Sequence, residues 1–275
     1  MSRRRGSHGP APAPEPLTTP AFDSHCHLDL LESPVASTLA DAQAVGISSI
    51  VTIGIDVPSS RWSAECAAAH ADVWAAVAIH PNEAGPAGDA DTGEALAEIS
   101  RLAALPQARA VGETGLDYYR DWAEPADQRS SFRAHIDIAK RAGKALVIHD
   151  REAHADVLRI LEEEGPPDRV VFHCYSGDAE MAKVCAEAGY YMSFAGNVTF
   201  KNAQELRDAA VIAPPELLLV ETDAPFMAPA PHRGKPNSPY LVPVTVRALA
   251  EAKGMDVDAL CATISANGAR VFGSV

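Results

Sequence analysis

The chain alternates between short apolar runs rich in β-branched residues and alanine-rich segments with helical spacing. The apolar runs predict eight strands, over residues 22–29, 47–55, 73–81, 109–117, 145–151, 170–177, 190–196 and 217–225. Strands that alternate with helices form a parallel sheet, and eight such units favour closure into a barrel. The pattern therefore predicts a single (β/α)8 barrel of the TIM type over residues 21–275.

Helix termini are marked by prolines and glycines. Ser33 and Pro34 predict the start of a helix that ends at Gly46. The segments 125–143, 152–165 and 178–189 also end at or next to a glycine. Residues 1–20 are rich in proline and alanine and poor in large apolar side chains, so they predict a disordered tail. Arg3–Arg5 lack the apolar region that a twin-arginine export signal needs.

Charge and cysteine content narrow the class of protein. The formal net charge of −14 predicts that a nucleic-acid substrate would be held by metals and a few basic loops, not by a broad basic surface. Five cysteines without a CxxC spacing indicate reduced thiols in a cytosol. No apolar stretch approaches ~20 residues, the length that spans a membrane. We therefore expect a cytoplasmic protein with no membrane contact and no obligate protein partner.

Polar residues stand where the predicted strands finish. In a barrel these ends form one rim, which carries the active site. His25 and His27 are two residues apart on a strand, so their side chains point to the same face. Two imidazoles in one place suit a divalent transition metal. The full set of rim residues is His25, His27, His80, Glu113, His149, His173 and Asp223.

Each of these residues, taken alone, has a structural explanation, such as a surface histidine pair, a helix N-cap or a hydrogen-bonded core histidine. Their joint placement favours metal binding, and a carboxylate can bridge two ions. One predicted site contains His25, His27, Glu113 and Asp223, and a second contains Glu113, His149 and His173. His80 is expected to orient a ligand or contact substrate.

The motifs SHCHLD, IHP, GETGLDYY, IHDR, FHCYSG, SFAGNVTFKN, ETDAP and RGKPNSP, in this order, resemble the TatD family of metal-dependent deoxyribonucleases within the amidohydrolase-like barrel superfamily. The resemblance runs from about Phe22 to the C-terminus, where NGARVF is similar to the family's closing helix. It implies a two-metal hydrolase that cleaves DNA phosphodiester bonds. It implies the same six ligands, with Glu113 as the bridge and Asp223 also accepting the proton of the attacking water.

Several positions depart from the family pattern without removing a ligand. They are Ala78, His135, Ala145 and Tyr175, where the family often has Gly, Gln, Pro and Phe. The activity of the family that this chain resembles is usually associated with Mg2+, whereas a histidine-rich site favours Zn2+, Mn2+, Co2+ or Ni2+ by ligand type. The predicted cofactor is therefore a pair of divalent ions whose element the sequence leaves open.

Loop residues supply candidates for holding the substrate. Arg151, Lys201, Arg233 and Lys235 are expected to contact flanking phosphates, although each could equally be a solvated surface charge. Tyr118 or Tyr119 could stack on a base. A rim pocket on an acidic protein fits a strand end better than a long duplex, which favours exonuclease action on single-stranded or frayed DNA.

Alternative functions share this site. Cyclic amidohydrolases often bridge their metals with a carboxylated lysine on the fourth strand, where this chain has Glu113. An esterase or deacylase acting on aminoacyl-tRNA, or on another small ester or amide, would use the same six ligands and stays open. A metal-bearing binding protein without activity would be expected to show a degenerate ligand set, and all six ligands are present.

Overall fold

Eight parallel strands pair in sequence order in the computed structural model, which describes residues 9–86 and 88–273. This arrangement confirms the predicted barrel. The strands are β1 (Ala21–Cys26), β2 (Ile47–Ile53), β3 (Val73–Val77), β4 (Ala108–Asp117), β5 (Ala145–Arg151), β6 (Val170–Phe172), β7 (Tyr191–Phe194) and β8 (Leu218–Val220).

Helices follow the strands and form the outer layer. They are α1 (Val35–Ala44), α2 (Val57–Ala69), α3 (Ala90–Ala103), α4 (Pro125–Ala142), α5 (His154–Glu164), α6 (Ala179–Ala188), α7 (Gln204–Ile212), α8 (Val242–Lys253) and α9 (Val257–Phe272). Within the described ranges, none of them combines the length and the hydropathy that a membrane crossing requires.

The barrel closes where β1 meets the chain that follows β8. Cys26 and Ala224 form an isolated parallel bridge, and the amide of His27 donates to the carbonyl of Ala224 at 2.8 Å. The amide of Asp223 donates to the carbonyl of His25 at 2.9 Å. We call residues 25–27 and 222–224 the seam. It brings candidate ligands from the first and last strands of the barrel together.

Several strands are shorter than the sequence predicted. β1 ends at Cys26, β6 at Phe172 and β8 at Val220, so His27, His173 and Asp223 lie just beyond the regular strands. The backbone turns away from extended geometry soon afterwards, because Cys174 and Asp223 have positive φ angles of 41° and 54°. The predicted strands included the polar residues that follow each apolar run, and regular pairing stops before those residues.

The start of α1 also differs from the prediction. Pro34, not Ser33, occupies the N-cap position, and the helix begins at Val35. Pro34 has an extended ψ of 142°, and no side chain caps this end. The proline therefore ends the preceding loop and does not form the first helical turn.

A glycine brings β4 close to β5 beside the candidate site. Gly115 has a φ of 134°, and a Cβ atom at this position would lie 2.1 Å from the carbonyl oxygen of His149. Only glycine has access to this conformation without strain and fits this spacing. The close approach fixes the relative positions of Glu113 and His149.

The N-terminal segment before β1 differs from a tail without contacts. Ala11 and Leu17 are buried, the amide of Leu17 donates to Val45, and the hydroxyl of Tyr240 donates to the carbonyl of Ala11 at 2.7 Å. Arg247 donates to the carbonyl of Glu15. Prolines keep this segment extended, and its backbone carbonyls serve as acceptors for barrel side chains. The disorder predicted for residues 1–8 falls outside the described residues.

Candidate metal centre

Glu113 lies at the centre of the rim cluster, on the last half of β4. Its Oε1 is 3.7 Å from Nε2 of His25 and 3.4 Å from Nε2 of His27. Its Oε2 is 2.7 Å from Nε2 of His173 and 3.3 Å from Nδ1 of His149. Each oxygen of one carboxylate therefore faces a different pair of histidines.

The seam supplies the first set of ligand atoms. Nε2 of His25 lies 3.8 Å from Oδ1 of Asp223, and Nε2 of His27 lies 3.6 Å from the same oxygen. His25, His27 and Glu113 form one of the described groups whose ligand atoms all lie within 4.8 Å of one another. Asp223 approaches this group from the end of β8.

Two further carboxylates orient the second pair of histidines. Oδ2 of Asp117 is 3.2 Å from Nε2 of His149, and Oε1 of Glu221 is 3.2 Å from Nδ1 of His173. The other ring nitrogen of each histidine is thereby directed at Glu113. Carboxylates that accept a hydrogen bond from a ligating histidine fix its tautomer and increase its basicity.

Buried polar atoms at this site fit a metal ion. His25 is fully buried, and neither of its ring nitrogens has a hydrogen-bond partner among the described residues. A buried imidazole without a partner is costly unless its lone pair is used. Coordination by Nε2 of His25, beside Glu113 and His27, would satisfy that lone pair. The donor set of imidazole and carboxylate is one that divalent transition metals accept.

The protonation preferences of His25, His80 and Glu113 suit coordination. Burial lowers the pKa of His25, and the neighbouring His173 lowers it further. Burial lowers the pKa of His80 to about 3. Burial alone would raise the pKa of Glu113, but the surrounding histidines, His173 first, hold it well below its usual range. Neutral imidazoles and an ionised carboxylate are the forms that bind metals.

Burial alone would lower the pKa of His27, His149 and His173, but the neighbouring carboxylates raise it, so a proton competes with an ion at those three rings.

His80 lies beyond the end of β3, at the start of a short 3₁₀ turn over Pro81–Glu83. Its Nδ1 accepts a hydrogen bond from the amide of Asn82, and its Nε2 is 3.9 Å from Oε2 of Glu113. His80, Glu113 and His149 form a second described group with metal-ligand spacing. The structure therefore brings His80 to the edge of the cluster.

A cavity of about 490 Å³ opens above the cluster and exposes Glu113, His173 and Asp223 to solvent. Arg151 lines this cavity, as the sequence analysis predicted for a substrate contact. Tyr118 does not line it, because its ring packs against the core and its hydroxyl donates to Asp156 at 2.6 Å. The aromatic residues at the mouth are Trp122 and Phe226 instead.

Arg233 and Lys235 lie on the loop after β8, outside the cavity lining. Arg233 is exposed, and its guanidinium lies 4.2 Å from the centre of the Phe200 ring. Lys235 is half-buried and makes only a backbone hydrogen bond, to His232 at 3.0 Å. Both residues remain on the rim, where a longer substrate would pass.

Cationic side chains that no carboxylate neutralises concentrate on this rim. Most lysines and arginines of the described residues bond to carboxylates or to backbone carbonyls, as Arg133 does with Glu163 and Glu164. Those that make no side-chain hydrogen bond or ion pair within the described ranges are Arg109, Arg120, Arg151, Lys201, Arg233 and Lys235. All except Arg109 lie at the carboxyl end of β5 or in loops that follow the carboxyl ends of strands.

Sequence reasoning missed two residues of this site. Glu221 precedes Asp223 by two positions in VETDAP, a spacing that could have pointed to a shared face. Trp122 stands in a polar loop, where an isolated tryptophan carries no periodic signal. Asp117, which the sequence marked only as a weaker neighbour of Glu113, makes the contact with His149.

The sequence of this chain is similar to those of known metal-dependent hydrolases. Residues 22–273 match the family described as TatD related DNase. The chain belongs to the TatD family. A relative from Mycobacterium tuberculosis, described as an uncharacterized metal-dependent hydrolase TatD, is 46% identical over 262 residues, which cover 91% of this chain and 97% of the relative. YcfH of Escherichia coli K12, also described as a metal-dependent hydrolase, is 38% identical over 256 residues, covering 91% and 94%.

Solved structures show the same TatD-family fold. The crystal structure of YJJV, a TatD homologue from Escherichia coli K12, superposes with a TM-score of 0.84 at 24% identity, covering 93% of this chain and 98% of YJJV. A TatD family hydrolase from Entamoeba histolytica superposes with a TM-score of 0.80 at 17% identity, covering 93% and 99%. At these identities the likeness concerns the fold.

Proposed function

We propose that this TatD-family protein is a metal-dependent hydrolase that cleaves phosphodiester bonds of DNA, acting from strand ends. The shared Glu113 carboxylate and its two pairs of histidines support the use of two metal ions. The rim cations, which no carboxylate of the described residues neutralises, carry the proposal of a polyanionic substrate. Evolutionary relatedness to the family described as TatD related DNase supports the same substrate class.

Two divalent ions at such a site supply Lewis acidity, which lowers the pKa of water and offsets charge on phosphate oxygens. Residues of this chain would hold them as predicted, with His25, His27 and Asp223 on one side of Glu113. His149 and His173 stand on the other side. Mg2+ follows from the family resemblance, and the imidazole ligands also suit Zn2+, Mn2+, Co2+ or Ni2+.

Asp223 is the proposed proton acceptor. Its carboxylate faces the cavity and lies beside both seam histidines. As the oxygen of water bonds to phosphorus, its proton passes to Asp223 while one P–O ester bond breaks. The leaving alkoxide then takes a proton from solvent. General-base catalysis of this kind contributes about 10²- to 10⁴-fold to a rate.

The rim cations favour DNA over smaller substrates, because a polyanion can contact several of them at once. Arg120 and Arg151 border the cavity, and Lys201, Arg233 and Lys235 extend the basic rim towards neighbouring phosphates. A small ester needs none of these. Esters of aminoacyl-tRNA share the polyanionic character, so the assay must include them beside DNA and RNA.

Cytoplasmic location would be consistent with the reduced cysteines, which the structure describes as free.

The substitution Asp223→Asn tests the proposed base. The amide cannot accept the proton, so we expect kcat on single-stranded DNA to fall by at least about 100-fold. Metal content measured on the same preparation separates loss of the base from loss of an ion. Asp208→Asn, on the exposed side of α7, is the matched control. Near-normal activity of Asp223→Asn would exclude this role.

A panel of substrates tests the reaction itself. Wild-type protein, reconstituted with one metal at a time, would be assayed on linear and circular single-stranded DNA, RNA and D-aminoacyl-tRNA. We expect linear DNA to be cut and circular DNA to resist, because an end must enter the cavity. Preferred hydrolysis of the aminoacyl ester would replace the nuclease proposal with the deacylase alternative.

A further inference from the structure

Trp122 stands in the loop between β4 and α4 and is 64% exposed at the mouth of the cavity. An indole that is mostly exposed leaves a large flat apolar face available for stacking. The guanidinium of Arg120 lies 4.8 Å from the centre of its ring. Cation–π contact of this kind holds the indole in place.

The neighbouring aromatic residues are less available for stacking. The ring of Tyr119 is contacted by two guanidiniums, Arg151 at 3.9 Å and Arg120 at 5.5 Å. Tyr118 is held by Asp156 away from the cavity. Trp122 has no ring contact other than Arg120 among the described residues. It therefore presents the freest aromatic face beside the site.

The loop that carries Trp122 is tied to the candidate metal centre. Oδ1 of Asp117 accepts hydrogen bonds from the amides of Tyr119 and Arg120, both at 3.0 Å. Oδ2 of the same carboxylate contacts His149. One side chain thus sets the position of the loop relative to a predicted ligand, which gives Trp122 a defined place beside the candidate metal centre.

We propose that the indole of Trp122 stacks on a base next to the phosphate at the candidate metal centre, and that Arg120 binds an adjoining phosphate. This inference rests on the proposed phosphodiesterase function and identifies what recognises the strand. Bases in a duplex are already stacked on each other, so this platform selects single-stranded or frayed DNA. Phe226, on the β8 side of the barrel, borders the opposite wall of the cavity.

Trp122→Ala and Trp122→Phe test the stacking contact. We expect kcat/KM on a single-stranded oligonucleotide to fall about 10-fold or more in Trp122→Ala and to stay within about threefold in Trp122→Phe, which keeps an aromatic ring. On an oligomer with abasic residues throughout, wild type and both variants should be equal. Val184→Ala removes an exposed apolar side chain from α6 and is the control.

Single abasic positions locate the stacked base. At that position, removing the base should slow the wild type as much as Trp122→Ala does, and should have no further effect on the variant. Arg120→Gln should reduce the slope of log(KM) against log(salt) by about 0.7, the value of one phosphate contact on a single strand. Full kcat/KM of Trp122→Ala on base-bearing DNA would overturn the proposal.

Fluorescence separates this inference from the proposed function. The tryptophans of the chain are Trp62, Trp74 and Trp122. Titration of metal-loaded protein with oligothymidylate whose phosphorothioate linkages resist cleavage should quench the wild type and not Trp122→Phe, while a labelled oligonucleotide still binds Trp122→Phe. Quenching without cleavage of unmodified DNA under any metal would refute the nuclease proposal and retain the stacking site. Cleavage with quenching that persists in Trp122→Phe would refute the stacking site alone.

Discussion

Glu221 illustrates how one buried side chain sets the chemistry of another. Its Oε1 faces Nδ1 of His173 and also accepts the amide of Cys174 at 2.8 Å. Burial alone would lower the pKa of His173, but Glu113 and Glu221 raise it well above its usual value. Glu221 orients the ring of His173 by facing Nδ1, which directs Nε2 towards Glu113. A metal ion bound at Nε2 would replace a proton there.

Glu221→Gln should therefore weaken metal binding without removing a ligand. Glutamine can still accept the Cys174 amide but no longer offers a charge to His173, and losses of about 10- to 100-fold in metal affinity are typical. Competition with a chromogenic chelator measures the affinity, and excess metal should restore activity. Glu216→Gln changes an exposed side chain in the 3₁₀ turn over Pro215–Leu217, just before β8, and serves as control. Unchanged affinity would remove Glu221 from this role.

Residue identity predicted the six ligands because a charged or imidazole side chain in an apolar strand is conspicuous. Glu221 was hidden by its proximity to Asp223, since one acidic residue already explained the motif. Trp122 and Tyr118 show the limit for aromatic contacts. The sequence places both in one loop, but only packing decides that Tyr118 turns to Asp156 while Trp122 turns to the cavity.

At the scale of elements, α4 supports the loop that carries His80. His135, in the middle of α4, donates from Nδ1 to the carbonyl of Ser131 at 2.7 Å. Its Nε2 accepts the amide of Ile79 at 3.0 Å. The ring must be neutral to make both bonds, and burial lowers its pKa to about 4. Neutral His135, with its proton on Nδ1, thus links α4 to the chain just after β3.

This contact predicts a pH dependence of stability. The unfolded chain protonates His135 near pH 6.5, whereas the folded protein resists protonation until about pH 4. Its stabilising contribution is therefore complete above pH 6.5 and is lost as the pH falls towards 4. His135→Gln should flatten the dependence of the unfolding free energy in this window by about 1 kcal/mol per pH unit.

Urea unfolding of both proteins between pH 4.5 and 7, with chelator present throughout, gives the comparison. The chelator removes differences that arise from metal release. His70→Gln alters a half-exposed histidine that has no side-chain hydrogen bond among the described residues, so it should keep the wild-type slope. If the unfolding free energies of wild type and His135→Gln change with pH at the same slope, His135 is not the source of this pH dependence.

Element types were predictable because β-branched runs and helical spacing alternate along the chain. Element ends were not, since pairing partners decide where a strand stops. β6 pairs with β7 only through Val171 and Phe172, although the sequence predicted a strand that reaches residue 177. At α1 the fixed φ of Pro34 matched a helix start, but its extended ψ placed it just outside.

At the scale of the whole molecule, the candidate metal ligands and the barrel closure lie in the same segments of the chain. Asp23 adds to the seam by accepting the amide of Thr222 at 2.9 Å and its hydroxyl at 2.5 Å. Burial raises the pKa of Asp23 to about 8. The candidate ligands His25, His27 and Asp223 are held on both sides of this junction. An ion bound there would link the first strand to the last.

Removal of metal should consequently destabilise the protein. An ion that binds only the folded state, present at 100 times its Kd, adds about 2.7 kcal/mol. Scanning calorimetry with and without chelator should show a lower Tm for the metal-free protein, and the difference should shrink in His25→Ala. A Tm that does not respond to metal would indicate that the seam is complete without it.

The seam also has a consequence for how the chain is made. The seam's bridge joins Cys26 to Ala224, which are 198 positions apart. β1 therefore leaves the ribosome long before residues 222–224 are synthesised. Glu113, His149 and His173 are available earlier, but the three-ligand set of His25, His27 and Asp223 is not. The chain can thus complete the proposed metal centre only after the last strand has been translated, so a partly synthesised chain would lack the proposed nuclease activity.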